Sequence, residues 1–190
     1  MDDTEFVVRR HKLDVDDIYR MADAGILGED DRVELIDGEL IDMAPIGQDH
    51  AATVNRLTRA LVMACEDRAI VSTQNPVRLD GVNEPQPDFA IFRPRADFYG
   101  AGERPGPSDV LLLVEVADSS IRFDRAVKLP LYAHAGIPEV WIVDLKRRVL
   151  DVHRGPSGGS YSELTTYQRG DTLGLAMVPE IRVTLDQVFG

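Results

Sequence analysis

Glu115 stands inside the apolar run Leu111-Leu112-Leu113-Val114-Glu115-Val116. A carboxylate embedded in such a run is costly to desolvate unless it is paired, protonated or bound to a cation. Asp88 has a similar setting, after Pro87 and before Phe89-Ala90-Ile91-Phe92. Two acids in register on neighbouring strands bring their Cβ atoms to about 5 Å. Carboxylates that close repel, and one keeps its proton unless a divalent cation lies between them. Mg²⁺ suits such a pair, because it takes oxygen ligands and keeps several waters. The plainer account places each acid at a strand end in water. Lys128 follows thirteen residues after Glu115, with Asp124 four positions before it and Tyr132 four after, a spacing that puts all three on one helix face. Either Lys128 makes a surface ion pair worth about 0.3–0.5 kcal/mol, or its ammonium reaches over the strand ends to orient an attacking water and stabilise developing negative charge.

These residues need elements to hold them, and the sequence marks most of those elements. Asp14 can cap a helix over 15–26, with Ile18, Met21, Ala22 and Ile26 on one face and Gly25 or Gly28 as its stop. Two short strands flank Asp37-Gly38 between Arg32 and Met43, where the dipeptide supplies positive φ for a tight turn. Residues 48–67 carry Val54, Leu57, Leu61 and Cys65 at helical spacing. A strand pair is expected at Ile70–Thr73 and Pro76–Leu79, then a turn at Asp80-Gly81 and a strand beginning at Pro87 and ending at Phe92. Residues 93–108 hold three prolines and three glycines and read as a surface loop.

Asp109–Ala117 has the continuous apolar character of a strand covered on both faces. Asp118, Ser119 and Ser120 can cap a helix over 121–135, which Pro130 should kink and Gly136 should end. Pro138–Asp144 is a second buried strand, with Trp141 as core packing. A hairpin is expected from Arg148–Arg154 to Tyr161–Tyr167 across Gly155-Pro156-Ser157-Gly158-Gly159, followed by a closing strand and helical turn at 181–189. The order helix, strands, buried strand, helix, buried strand predicts an α/β fold, a mixed sheet with helices on both faces and an antiparallel edge. The length of 190 residues suits one domain, with a core at about 48–144, an N-terminal helix and hairpin at 14–43 and C-terminal strands at 148–189.

Composition narrows the function classes. The net charge is −12, and residues 1–49 hold 15 acidic against 5 basic residues, while 50–190 hold 18 against 16. General nucleic-acid binding needs clustered Lys and Arg. Arg56, Arg59 and Arg68, or Lys146-Arg147-Arg148, are the candidates for a local basic groove, with a solvated surface as the alternative. Only Lys12, Lys128 and Lys146 are lysines, against 18 arginines. The acidic start Met1-Asp2-Asp3-Thr4-Glu5 is not a signal peptide, no apolar run approaches a membrane span, and the single Cys65 makes no internal disulfide, so a soluble cytoplasmic protein is expected.

An ordered series of residues then resembles a known family. Glu34-Leu35-Ile36-Asp37-Gly38-Glu39, His50, Pro87-Asp88, Val114-Glu115-Val116, Asp124, Lys128, Tyr132, Gly136 and Glu139-Val140-Trp141-Ile142-Val143-Asp144 are similar to the pattern of the Uma-type restriction endonuclease family, over about residues 14–154. That family is similar in fold to the restriction-endonuclease-like PD-(D/E)xK superfamily. The resemblance implies a Mg²⁺-dependent endonuclease, with Mn²⁺ as a substitute and nucleic acid, expected to be DNA, as substrate. Asp88 looks like the Asp of the Pro-Asp element, Glu115 like the following acid, and Glu34 like the early acid, here on the hairpin. The lysine expected two positions after the second acid is replaced by Ala117, and the resemblance implies that Lys128 supplies the amine from the next helix. His50 is an accessory ligand, a proton shuttle or a cap; Tyr132 hydrogen-bonds a site carboxylate or packs. The rival expectations are a non-catalytic binding or assembly module on the same fold that retains a cation site, and a nuclease acting on a small or structured substrate with few phosphate contacts. Strand edges after residue 148, read as apolar, make a homodimer the expected assembly.

Overall fold

The computed structural model describes residues 10–28, 30–102 and 104–190. Helix α1 (Val15–Asp23) starts at Asp14, whose side chain accepts from the Asp17 backbone while Asp17 returns the bond, a reciprocal cap. It ends at Ala24, short of the expected residue 26. The hairpin β1 (Val33–Ile36) and β2 (Glu39–Asp42) turns at Asp37-Gly38, both at positive φ. Helix α2 (Gln48–Cys65) buries Val54, Leu57, Leu61 and Cys65, the stripe its spacing requires.

A six-stranded mixed sheet lies at the centre. Its strands are β3 (Ile70–Thr73), β4 (Phe89–Phe92), β5 (Val110–Ala117), β6 (Glu139–Asp144), β7 (Val149–Ser157) and β8 (Ser160–Tyr167), in that order across the sheet. Only β5 and β6 pair in parallel, and the crossover that parallel strands need is supplied by the helical run from Ile121 to His134. Every residue of β5 and β6 is buried. Helices α2 and the C-terminal α5 (Leu185–Phe189) pack with Phe89, Ile91, Val114 and Val116 on one face. The crossover run packs through Leu129 and Tyr132 with Ala90, Phe92, Leu113 and Ala117 on the other. A small pair, β9 (Thr172–Gly174) with β10 (Arg182–Thr184), closes the chain beside α5.

Several further details differ from the sequence expectation. Residues 76–79 form no strand. Gln74 turns the chain at a φ of 52°, Pro76 has no donor to give, and Val77 and Leu79 instead bond back to the carbonyls of Pro85 and Asn83. Strand β4 begins at Phe89 rather than Pro87. The second hairpin turns on Gly158-Gly159 alone, both at positive φ, so β7 and β8 run on to Ser157 and Ser160. Its outer strand β8 is mostly exposed and carries Ser, Glu and Thr, so the sheet edge is polar rather than apolar.

The last concerns the crossover, where α3 (Ile121–Phe123) and α4 (Leu129–His134) are joined without a break by a π turn, Asp124–Lys128. An α-helical Pro130 would leave the Ala126 carbonyl without a donor and crowd it with its ring. The wider turn, in which Leu129 N–H bonds the Asp124 carbonyl, accommodates the proline in place of a simple kink.

Candidate active site

Strand alternation decides which way the acids face. Glu115 shares its parity with Leu113 and Ala117, both packed on the crossover face. Asp88, one residue before β4, shares the parity of Ala90 and Phe92 on that same face. Phe89 pairs with Val114 in the antiparallel ladder, so Asp88 and Glu115 are the next opposed positions. The Asp88 Oδ2 accepts the Val116 N–H at 2.8 Å, which ties the acid to the strand that carries Glu115. Both line one cleft of about 390 Å³, together with Glu34, His50, Asp124 and Lys128.

Lys128 is buried at 4% exposure. Its Nζ lies 2.9 Å from Glu34 Oε2 and 3.2 Å from Glu115 Oε1. The surface pair with Asp124 is therefore not what this lysine makes; Asp124 instead accepts from the Ser120 hydroxyl at 2.7 Å. Tyr132 donates its hydroxyl to Glu115 Oε1 at 2.5 Å, and it is also fully buried, so hydrogen bonding and packing coincide. Glu34 is fixed from β1 and accepts the Gln86 N–H at 3.1 Å as well. His50, in the first turn of α2, places Nε2 3.1 Å from Asp88 Oδ2, while its Nδ1 is buried without a partner.

Burial pushes the Glu115 carboxyl up to about 8, against the downward pull of the Lys128 ammonium. Burial alone would lower Lys128, but the Glu115 and Glu34 carboxylates outweigh it and hold the amine above its ordinary range. The hydrogen bond to Asp88 raises His50 despite its partial burial. Burial likewise raises Asp124, with the Ser120 hydroxyl opposing. The arrangement is a buried ammonium shared by two acids from separate elements, beside a third acid held by an imidazole.

The donor set is one that suits a hard cation. Asp88, just before β4, and Glu115, on β5, present carboxylate oxygens to one cleft, and burial raises Glu115 by more than Lys128 lowers it. Among the described residues no three His, Cys, Asp or Glu side chains converge as a ready-made cage. Mg²⁺ asks for less than a cage, since it binds through one or two carboxylates and completes its octahedron with waters and substrate oxygens.

Several cleft residues carry no sequence signal of their own. Arg32, Asp42, Gln86 and Asp118 line it because the β1–β2 hairpin and the loops after β2 and β5 fold over the strand ends. Gln86 precedes the Pro87-Asp88 pair, and that adjacency was the one available hint. Neither proposed basic cluster lines the cleft. Arg68 pairs with Glu66, Lys146 with Asp118, and Arg147 with Asp144. Arg148 donates to the Phe189 carbonyl. Trp141 is buried and donates its indole N–H to Glu139 Oε1 at 2.6 Å. Among the described residues no helix is long and apolar enough to cross a membrane.

Comparison with known proteins agrees with this geometry at the level of the fold and family. No curated protein matches the chain. A solved structure, titled as a "putative nuclease belonging to DUF820" from Anabaena variabilis ATCC 29413, superposes with a TM-score of 0.68 at 16% identity, covering 87% of this chain and 94% of that one. At that identity the likeness is one of fold. The profile of the Uma2 family, described as "Putative restriction endonuclease", matches residues 15–186, from the first helix through β10 and into α5. The chain belongs to the Uma2 family.

Proposed function

We propose that this chain is a Mg²⁺-dependent endonuclease that hydrolyses phosphodiester bonds of nucleic acid, with DNA as the expected substrate. The observation that carries the reading is the convergence of Asp88, Glu115, Glu34 and Lys128 in one cleft from four separate elements. Asp88 and Glu115 would hold the ion, with Glu34 assisting directly or through water. Bound there, Mg²⁺ would supply Lewis acidity toward the phosphate and toward the attacking water. The Lys128 ammonium, held beside Glu115, would orient the attacking water and offset charge as the P–O bond to the leaving oxygen breaks. Tyr132 holds Glu115 in one orientation, and His50 does the same for Asp88.

The test is cleavage of plasmid and single-stranded DNA with and without Mg²⁺ or Mn²⁺. Lys128→Ala should lose activity by about 100-fold or more, the range of a positioned acid–base group. Asp88→Asn, at a less buried position, serves as the second variant and should also lose ion binding in calorimetry. Equal cleavage by the wild type and both variants would assign the activity to a contaminant. Ion binding without cleavage of any nucleic acid would favour the assembly module.

A further inference from the structure

Carboxylates are not the whole lining of the cleft. The chain after β2 contributes Met43 and Ile46 to it, and the end of α3 contributes Phe123. Ile46 is 46% exposed, and Met43 and Phe123 are partly exposed. These apolar side chains share the lining with six carboxylates, those of Glu34, Asp42, Asp88, Glu115, Asp118 and Asp124. Against them the lining includes two cationic side chains, Arg32 and Lys128. Lys128 is committed to Glu34 and Glu115, and Arg32 donates to the Ala44 carbonyl at 3.4 Å, within the apolar wall itself.

Both features disfavour continuous duplex. A duplex presents a dense track of phosphates, which is held by several lysines and arginines. Its bases are stacked and paired, with no face to offer an apolar wall. An unpaired nucleotide offers that face, and aromatic and apolar side chains take it with little regard to sequence. The cleft of about 390 Å³ is also at the low end of the roughly 300–1,000 Å³ found for small-ligand sites.

We infer that the cleft receives an unpaired nucleotide, its base on the Met43–Ile46–Phe123 wall and its phosphate toward Asp88 and Glu115. The substrate class is therefore single-stranded nucleic acid or an unpaired end or loop. This rests on the hydrolytic reading above, since it is that reading which brings a phosphate to the acids.

The test is fluorescence anisotropy with a fluorescein-labelled 12-nucleotide single strand and its blunt duplex, in Ca²⁺, followed by cleavage of both in Mg²⁺. The single strand should bind at least tenfold tighter than the duplex. Phe123→Ala should weaken single-strand binding about tenfold, the scale of losing one stacking partner, and Phe123→Trp should restore it. Ile46→Ser changes an exposed side chain that the fold does not need, and it should weaken the same complex if Phe123→Ala does not fold. Equal or tighter duplex binding overturns the inference, as does unchanged single-strand affinity in the folded variants, or no binding of either form. Metal-dependent cleavage that favours duplex would uphold the nuclease while removing this substrate class. Wall-dependent single-strand binding with no cleavage would uphold the wall while removing the hydrolysis.

Discussion

The proposed hydrolysis turns on Glu115, and the acidity of that residue makes a testable statement about stability. Its carboxyl moves from an ordinary 4.5 to about 8 through burial, only partly offset by Lys128. A group raised on folding gives stability that is complete below its unfolded value and is lost as pH climbs through its folded value. His50 is raised as well, by its bond to Asp88, so its contribution has the same sign above its ordinary value. The metal-free protein should thus lose stability between pH 4.5 and 8, and Glu115→Gln should show a flatter profile over that window. Mg²⁺ needs the ionised carboxylate, so the stabilisation it gives should grow over the same interval. Urea midpoints at pH 5, 6.5 and 8, with and without Mg²⁺, measure both slopes. Parallel profiles for the wild type and Glu115→Gln would show that residue 115 does not titrate there.

At the scale of elements, what the sequence revealed follows from how local each cause is. Asp14, the Asp37-Gly38 turn and the Val54–Leu57–Leu61–Cys65 stripe act within a few residues, and each produced the expected element. Asp88 and Glu115 were readable because an acid beside four or more apolar neighbours has few inexpensive fates. Pro130 announced a disturbance but not its form, because whether a helix kinks or widens depends on what packs against it. The π turn was invisible, and with it the reason Asp124 and Lys128 both point inward. The loops that bring Arg32 and Asp118 to the cleft depend on tertiary folding alone. The Gly158-Gly159 turn was blurred by its glycine-rich flank, yet it has a sharp consequence. A Cβ on Gly159 would come within 2.0 Å of the His134 ring, at a φ of 82°. Gly159→Ala should therefore cost about 1–3 kcal/mol through strain and displacement of that ring. It should leave ion binding unaltered, since the turn lies outside the cleft. Chemical denaturation and calorimetry on the same variant check the two halves.

Across the whole molecule, the charge distribution sets how nucleic acid is approached. The first 49 residues carry 15 acids against 5 bases, and the β1–β2 hairpin they contain forms one wall of the cleft. Three of the arginines that could balance this are paired with acids elsewhere: Arg125 bonds Asp151 at 2.7 Å, Arg154 bonds Glu139 at 3.0 Å, and Arg169 bonds Asp186 at 2.9 Å. Such pairs add little binding energy for a polyanion, because each cation already has a carboxylate partner. On the proposed function, the field around the cleft repels a phosphate track at long range, and attraction is restricted to the one or two phosphates that the proposed cation would meet. Binding that releases few counter-ions depends weakly on salt, with a slope of about −0.7 per neutralised phosphate on a single strand. The affinity for a short single strand in Ca²⁺ should accordingly fall with a log–log slope of about −1 between 50 and 200 mM NaCl, corresponding to one or two contacts. Raising the divalent ion should strengthen binding by more than lowering NaCl does. A slope near −5 would mean a basic track running across the surface, and the acidic cleft would then be where the strand ends rather than where it is first held.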